Sequence, residues 1–122
     1  MLMMIKATDI VVGTGKTAVK GALIVTEYTG YLMDGTVFDA SAYRGRPFEC
    51  VIGTGRVIKG WDLGVLGFDE AGVGIVPMQV GGKRELIVPA HLAYGDRAVG
   101  KIPPNSPLRF EITLLEVRTR DD

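Results

Sequence analysis

The chain has 122 residues, 47% of them hydrophobic, and its 14 basic and 14 acidic side chains cancel. That length predicts one domain spanning 1–122, with apolar mass enough for a core. The neutral balance leaves no electrostatic footprint for nucleic acid or an anionic membrane. Cys50 is the one cysteine, so no internal disulfide forms; this fits a reducing, cytoplasmic setting. The apolar opening Met1–Ile5 stops at Lys6, short of the ~7–15 residues of a signal peptide. No apolar run approaches the ~20 residues of a membrane helix.

Residues 1–12 suggest a first strand ending in Ile10, Val11 and Val12. Gly13–Thr17 is a turn; it resembles the tail of a phosphate-binding loop, but Ile10 stands where that loop needs its first glycine. Residues 22–32 form the clearest strand, rich in β-branched and aromatic side chains. Ile24, Thr26 and Tyr28 share one face of it, Leu23, Val25 and Glu27 the other. Asp34-Gly35 signals a turn into an extended Val37-Phe38-Asp39. A loop follows over 40–47, then a strand with Phe48, Cys50 and Ile52 on one face.

The stretch 57–67 holds the only tryptophan. Ile58, Trp61 and Val65 fall on one face of a short helix. Gly60 and Gly64 each cost it ~1 kcal/mol relative to Ala, so surrounding strands must hold it. Residues 68–77 read as a loop rich in glycine and proline. A strand over 83–89 carries Leu86 and Val88 on one face, and a long loop runs from Ala93 to Pro107. Residues 108–117 alternate Leu108, Phe110, Ile112 and Leu114 against Arg109, Glu111 and Thr113. The ends, 1–7 and 118–122, are expected to fray. The sum is an α+β domain: an antiparallel sheet whose apolar face is covered by one short helix.

The acid–base and nucleophile inventory is thin. No spacing suggests a metal site or a cofactor. Ser41 and Ser106 lack a nucleophile elbow, and His91, the only imidazole, is expected in a surface turn. Cys50 reads as a small core hydrophobe. What remains is an aromatic set: Tyr28, Phe38, Phe48, Trp61, Tyr94 and Phe110. These either form an ordinary core or line an apolar pocket floored by Trp61.

Several short stretches, in order, resemble the FKBP-type peptidyl-prolyl isomerases, the macrolide-binding immunophilins. They are Tyr28-Thr29-Gly30, Asp34-Gly35, Phe38-Asp39-Ala40-Ser41, Pro47-Phe48, Val57-Ile58-Lys59-Gly60-Trp61, Val80-Gly81-Gly82-Lys83-Arg84, Ala93-Tyr94-Gly95 and Ile102-Pro103-Pro104. The resemblance covers 8 to 117 and implies a half-barrel-like antiparallel sheet wrapped around the helix. It implies a rotamase acting on X-Pro bonds in peptides and folding proteins, without covalent chemistry, as a monomer that tacrolimus and rapamycin inhibit. By the same resemblance, Trp61 is the floor, with Phe38, Asp39 and Tyr94 acting beside it. Tyr28, Phe48, Val57, Ile58, Ile102 and Phe110 complete the lining, and the Ile58 N–H and the Tyr94 hydroxyl donate to carbonyl groups. Asp39 either fixes the pocket's shape through the Tyr28 hydroxyl or acts directly on the rotating amide.

Two places depart from the family's pattern. Cys50 stands where a second pocket-side aromatic is common, which implies a roomier wall. Ala98 and Lys101 occupy the flap after Tyr94, which is aromatic or aliphatic in some relatives. The flap leaves no room for the inserted chaperone domain of some bacterial relatives. A binding module without catalysis and a holdase chaperone are the competing readings; the intact Asp39, Trp61 and Tyr94 argue against the first and the short flap against the second.

Overall fold

The computed structural model describes residues 5–70 and 73–120. In chain order the elements are β1 (Lys6–Val11), β2 (Leu23–Leu32), β3 (Val37–Ala40), β4 (Phe48–Val51), α1 (Lys59–Leu66), β5 (Phe68–Glu70), β6 (Val73–Ile75), β7 (Lys83–Val88) and β8 (Leu108–Arg118). Single 3-10 turns cover Ser41–Arg44 and Ala90–Leu92. The main sheet is antiparallel and six-stranded, in the order β1-β7-β8-β2-β3. β4 pairs with the first half of β2, beside β3 on its second half. The sheet does not close; β1 forms one edge, and β3 with β4 the other.

The period-two pattern of β8 explains its central place. Leu108, Phe110, Ile112 and Leu114 are buried on one face. The opposite face carries ion pairs between Lys83 and Glu111 and between Arg109 and Glu85. β2 is less regular than its sequence suggests. Its register against β8 shifts between Val25 and Thr26, so Ile24, Val25 and Thr26 are buried in succession. The expected turn at Asp34-Gly35 is present: the Gly35 N–H donates to the Leu32 carbonyl, and the Thr36 N–H to Asp34 Oδ1.

α1 lies on the apolar face against β7. Its two glycines, unfavourable for an isolated helix, are what permit this. A Cβ on Gly60 would sit 2.4 Å from Val88 Cγ1, and one on Gly64 2.4 Å from Leu86 Cδ1. Val88 and Leu86 are themselves fully buried and have nowhere to move. The helix entry is fixed from the other side, where Asp62 accepts the N–H groups of Gly53 (2.7 Å) and Gly55 (3.1 Å). This draws the turn after β4 onto the first helical turn, and with it Val57 and Ile58.

One charged residue shares the buried face of β7. Arg84 is 2% exposed. It pairs with Asp9 of β1 at 2.7 Å and donates from Nη1 to the carbonyls of Gly64 and Val76, each at 2.8 Å. Each nitrogen of the guanidinium therefore has a partner, as burial requires.

Some expectations need correction. Residues 68–77 are not a plain loop: β5 and β6 pair antiparallel within it, with 71–72 outside the described residues. The loop expected over 40–47 contains the 3-10 turn at Ser41–Arg44. Fraying at 1–4 and 121–122 also falls outside the described residues. Ile5, however, is buried, Lys6 and Ala7 pair with β7, and Arg118 pairs with Leu23. Strand pairing holds these residues, which counting inward from the termini could not anticipate.

Gly60→Ala gains ~1 kcal/mol of helix propensity. The clash with a stiff, β-branched Val88 is expected to outweigh it. A net loss of about 1–2 kcal/mol in urea denaturation is the expected outcome; a raised midpoint would refute the close-packing account.

Candidate functional site

Between α1 and the strands lies a cavity of about 240 Å³, lined by Tyr28, Phe38, Asp39, Arg44, Phe48, Arg56, Val57, Ile58, Trp61, Tyr94 and Phe110. Trp61 is at its base, 4% exposed. Tyr28, Phe48 and Phe110 each meet the indole edge-on, with ring centroids 5.2, 5.8 and 5.8 Å away. Phe38 in turn stands edge-on to Phe110 at 5.6 Å. These perpendicular contacts suit the ring quadrupoles and leave the walls stiff.

Each wall has a local cause. Tyr28 and Phe110 come from adjacent strands, β2 and β8, on the buried face. Phe38 reaches across β2 only because Gly30 is there; a Cβ on Gly30 would stand 2.5 Å from the Phe38 ring. Val57 and Ile58 enter from the turn that Asp62 holds. The Ile58 carbonyl accepts from the Trp61 N–H at 2.9 Å, whereas among the described residues nothing accepts the Ile58 N–H. Tyr94 follows the 3-10 turn at Ala90–Leu92. Bonds from the Gly95 N–H to the Ala90 carbonyl and from the Asn105 N–H to the Gly95 carbonyl, both 2.8 Å, hold the backbone beside it.

The polar side of the cavity is a closed triangle. The Tyr28 hydroxyl donates to Asp39 Oδ2 at 2.5 Å, and Arg44 Nη1 donates to the same hydroxyl at 2.9 Å. Arg44 Nη2 reaches Asp39 Oδ2 at 3.2 Å. The guanidinium also stands 5.9 Å from the centroids of Tyr28 and Phe48. Below it, Ser41 Oγ accepts the Tyr28 N–H at 3.0 Å, so the strand and the turn that supply the triangle are joined. Burial, reinforced by the bond to Asp39, pushes the Tyr28 phenol above its ordinary 10.0, against a smaller opposing effect of Arg44. Burial and then the charge of Asp39 push the Tyr94 phenol the same way. Both hydroxyls are therefore neutral donors at physiological pH.

The structure brings together Tyr28, Phe38, Asp39, Phe48, Val57, Ile58, Trp61, Tyr94 and Phe110, all expected of the pocket. Ile102 is not among the lining residues. Reciprocal backbone bonds with Val99, 2.8 and 3.0 Å, close a tight turn, and its side chain is buried in the core. Cys50 also does not line the cavity, so it does not widen a wall. It packs half-buried beside the core, and burial pushes its thiol up to about 11. His91 is exposed and away from the lining. Arg44 and Arg56 line the cavity without having been anticipated. Arg44 ends the 3-10 turn before Gly45 and Arg56 follows Gly53 and Gly55 in a turn, where neither periodicity nor spacing marks a residue as facing inward.

The model of the FKBP-type peptidyl-prolyl cis-trans isomerase family matches residues 14–115. Peptidyl-prolyl cis-trans isomerase FKBP13, chloroplastic, of Arabidopsis thaliana is 54% identical, over 85% of this chain and 51% of that protein. An FK506-binding protein of Neisseria meningitidis is 46% identical, over 89% of this chain and 92% of its own length. The chain spans only 21% of FK506-binding protein 4 of Neurospora crassa, at 49% identity. The crystal structure of AtFKBP13 superposes with a TM-score of 0.87, at 49% identity and 93% coverage of both chains. No helix among the described residues is long and apolar enough to cross a membrane.

Tyr28→Phe removes the hydroxyl that both Asp39 and Arg44 use. A loss of about 1–2 kcal/mol in urea denaturation is expected at neutral pH. The native phenol's raised pKa also sets a window. Stability is full below pH 10.0 and falls as pH rises toward the higher native value, because the unfolded phenol ionises first. Tyr28→Phe should flatten that alkaline fall; an unchanged slope would remove Tyr28 as its source.

Proposed function

The chain belongs to the FKBP-type peptidyl-prolyl cis-trans isomerase family, and from that premise we propose that it accelerates rotation about X-Pro bonds in peptides and folding proteins. The observation that carries this reading is the cavity itself: six aromatic side chains line it, with Tyr28, Asp39 and Arg44 already bonded to one another at its side. That lining suits a reaction in which no covalent bond is made or broken. Uncatalysed rotation takes tens to hundreds of seconds because the amide has partial double-bond character. The planar ground state is the more charge-separated and the better hydrated. Moving it into an apolar pocket that excludes water favours the twisted amide relative to the planar one.

In this mechanism Trp61 lies under the proline ring, and Tyr28, Phe38, Phe48, Val57 and Phe110 enclose it. The unclaimed Ile58 N–H and the neutral Tyr94 hydroxyl donate to substrate carbonyls and fix the peptide's direction. The bond from Tyr28 and the pairing with Arg44 support the shape-fixing role for Asp39 over direct action on the amide. A carboxylate already shared among the Tyr28 hydroxyl, the Arg44 guanidinium and the Ala40 N–H has little left to offer a rotating bond.

The remaining parts of the reading are a single domain, a monomer and residence in the cytoplasm. The lone thiol supports the last of these, although the Arabidopsis relative is named as chloroplastic. Relatives named as FK506-binding proteins support occupation of the same cavity by tacrolimus, which is FK506; rapamycin is included on the family resemblance alone.

A protease-free isomerisation assay on a short X-Pro peptide, with and without tacrolimus, tests the proposal. A rate well above the blank that falls to the blank at saturating macrolide is expected. A rate equal to the blank without drug, together with saturable peptide binding, would make the chain a binding module instead. A catalysed rate indifferent to the drug would place the active site elsewhere.

A further inference from the structure

The charges around the cavity mouth are not balanced, although those of the whole chain are. Asp39 is the only carboxylate in the lining, and it is committed to Arg44 and the Tyr28 hydroxyl. Arg56 also lines the cavity, is exposed, and has no ion pair or hydrogen bond among the described residues. Beyond Phe48 and Arg44 a second hollow of about 430 Å³ continues the surface, lined by Arg46, Pro47 and Glu49 as well. Arg46 is likewise exposed and unpaired among the described residues. Glu49 is exposed in the same second hollow, beside Arg46. The mouth therefore presents two guanidinium groups without a bonded partner: Arg56 against the first hollow, whose lining carboxylate Asp39 is already engaged, and Arg46 in the second, where Glu49 also stands.

We propose that Arg56, assisted by Arg46, makes this pocket select peptides that carry a carboxylate side chain next to the X-Pro pair. The inference rests on the reading of the cavity as a prolyl site and adds the chemistry of the flanking residues. The apolar rings account for capture of the proline and say nothing about its neighbours. A bound peptide continues out of the pocket on both sides, past the mouth where these cations stand. An Asp or Glu there meets an unpaired guanidinium that can donate to it bidentately without breaking an existing contact. A Lys or Arg at the same place meets like charge. Because Arg56 is exposed, its effect is modest and sensitive to salt. It acts on binding, hence on KM, because it touches no group that changes during rotation.

The test uses two peptides identical except for Glu or Gln next to the X-Pro pair, assayed in about 0.01 M and about 1 M salt. A two- to fivefold higher kcat/KM for the Glu peptide at low salt is expected, carried by KM and lost at high salt. Arg56→Gln should collapse the ratio and Arg56→Glu should invert it, with urea midpoints within error of the parent. Equal kcat/KM for both peptides at low salt would overturn the proposal, as would a ratio untouched by Arg56→Glu. Titration of the same peptides against Trp61 fluorescence reads the preference as a ratio of Kd values. That measurement decides the charge selection even if neither peptide is isomerised, so failure of the catalytic reading and failure of this one are told apart.

Discussion

The backbone of α1 lies directly on the sheet, and the rest of the molecule is arranged around that contact. At Gly60 and Gly64 the helix presents no side chain, and Val88 and Leu86 fill the space a Cβ would need. The close approach sets how deep Trp61 sits. From that depth the indole reaches Tyr28 and Phe110 on the central strands and Phe48 on an edge strand. A helix held farther off would leave these rings without their shared partner. The propensity cost of two glycines, ~2 kcal/mol in all, is small beside the aromatic burial they allow.

The pocket that results combines a dry floor with an organised polar side. Apolar cavities do not tolerate a lone carboxylate. Asp39 is acceptable at this wall because a phenol and a guanidinium share it. The same bonds tie β2 to the turn that supplies Arg44, while Asp62 ties the turn after β4 to the helix. Two carboxylates thus have related architectural jobs: Asp39 joins donors from β2 and the 41–44 turn, and Asp62 holds the turn after β4 onto the helix. Only the uncommitted groups, the Ile58 N–H, the Tyr94 hydroxyl and Arg56, are left to meet something that arrives from outside.

Much of this was legible in the sequence, and the exceptions have a common cause. Strict alternation in 108–117 located β8, and a lone tryptophan between glycines located the helix and the floor. The resemblance then named most of the lining. What escaped depended on backbone detail. Ile102 was expected in the wall, yet a tight turn with Val99 sends its side chain into the core. The slip of register at Val25–Thr26 altered a face that alternation had assigned. Pairing of β5 with β6 arose inside a stretch whose glycines and proline suggested a loop. Arg44 and Arg56 came to the cavity from turns, where no period exists to read. Glycine itself was half understood: its conformational cost was plain, but the closeness it grants needs the neighbouring strand to be seen.

Arg84 gives the edge of the sheet a different standing from most edges. Outer strands commonly loosen first, since they are paired on one side only. Here β1 supplies Asp9 to a guanidinium that also holds a helix carbonyl and the carbonyl of Val76. Peeling β1 away would leave a charge in the interior without its counterion, a penalty of about 3–5 kcal/mol. Partial opening at that edge therefore costs a large share of what holds an entire domain of this size. The first strand, the floor helix and the segment entering β7 are bound into one cooperative unit, so a strand with no residue in the pocket lining still steadies the helix that floors it.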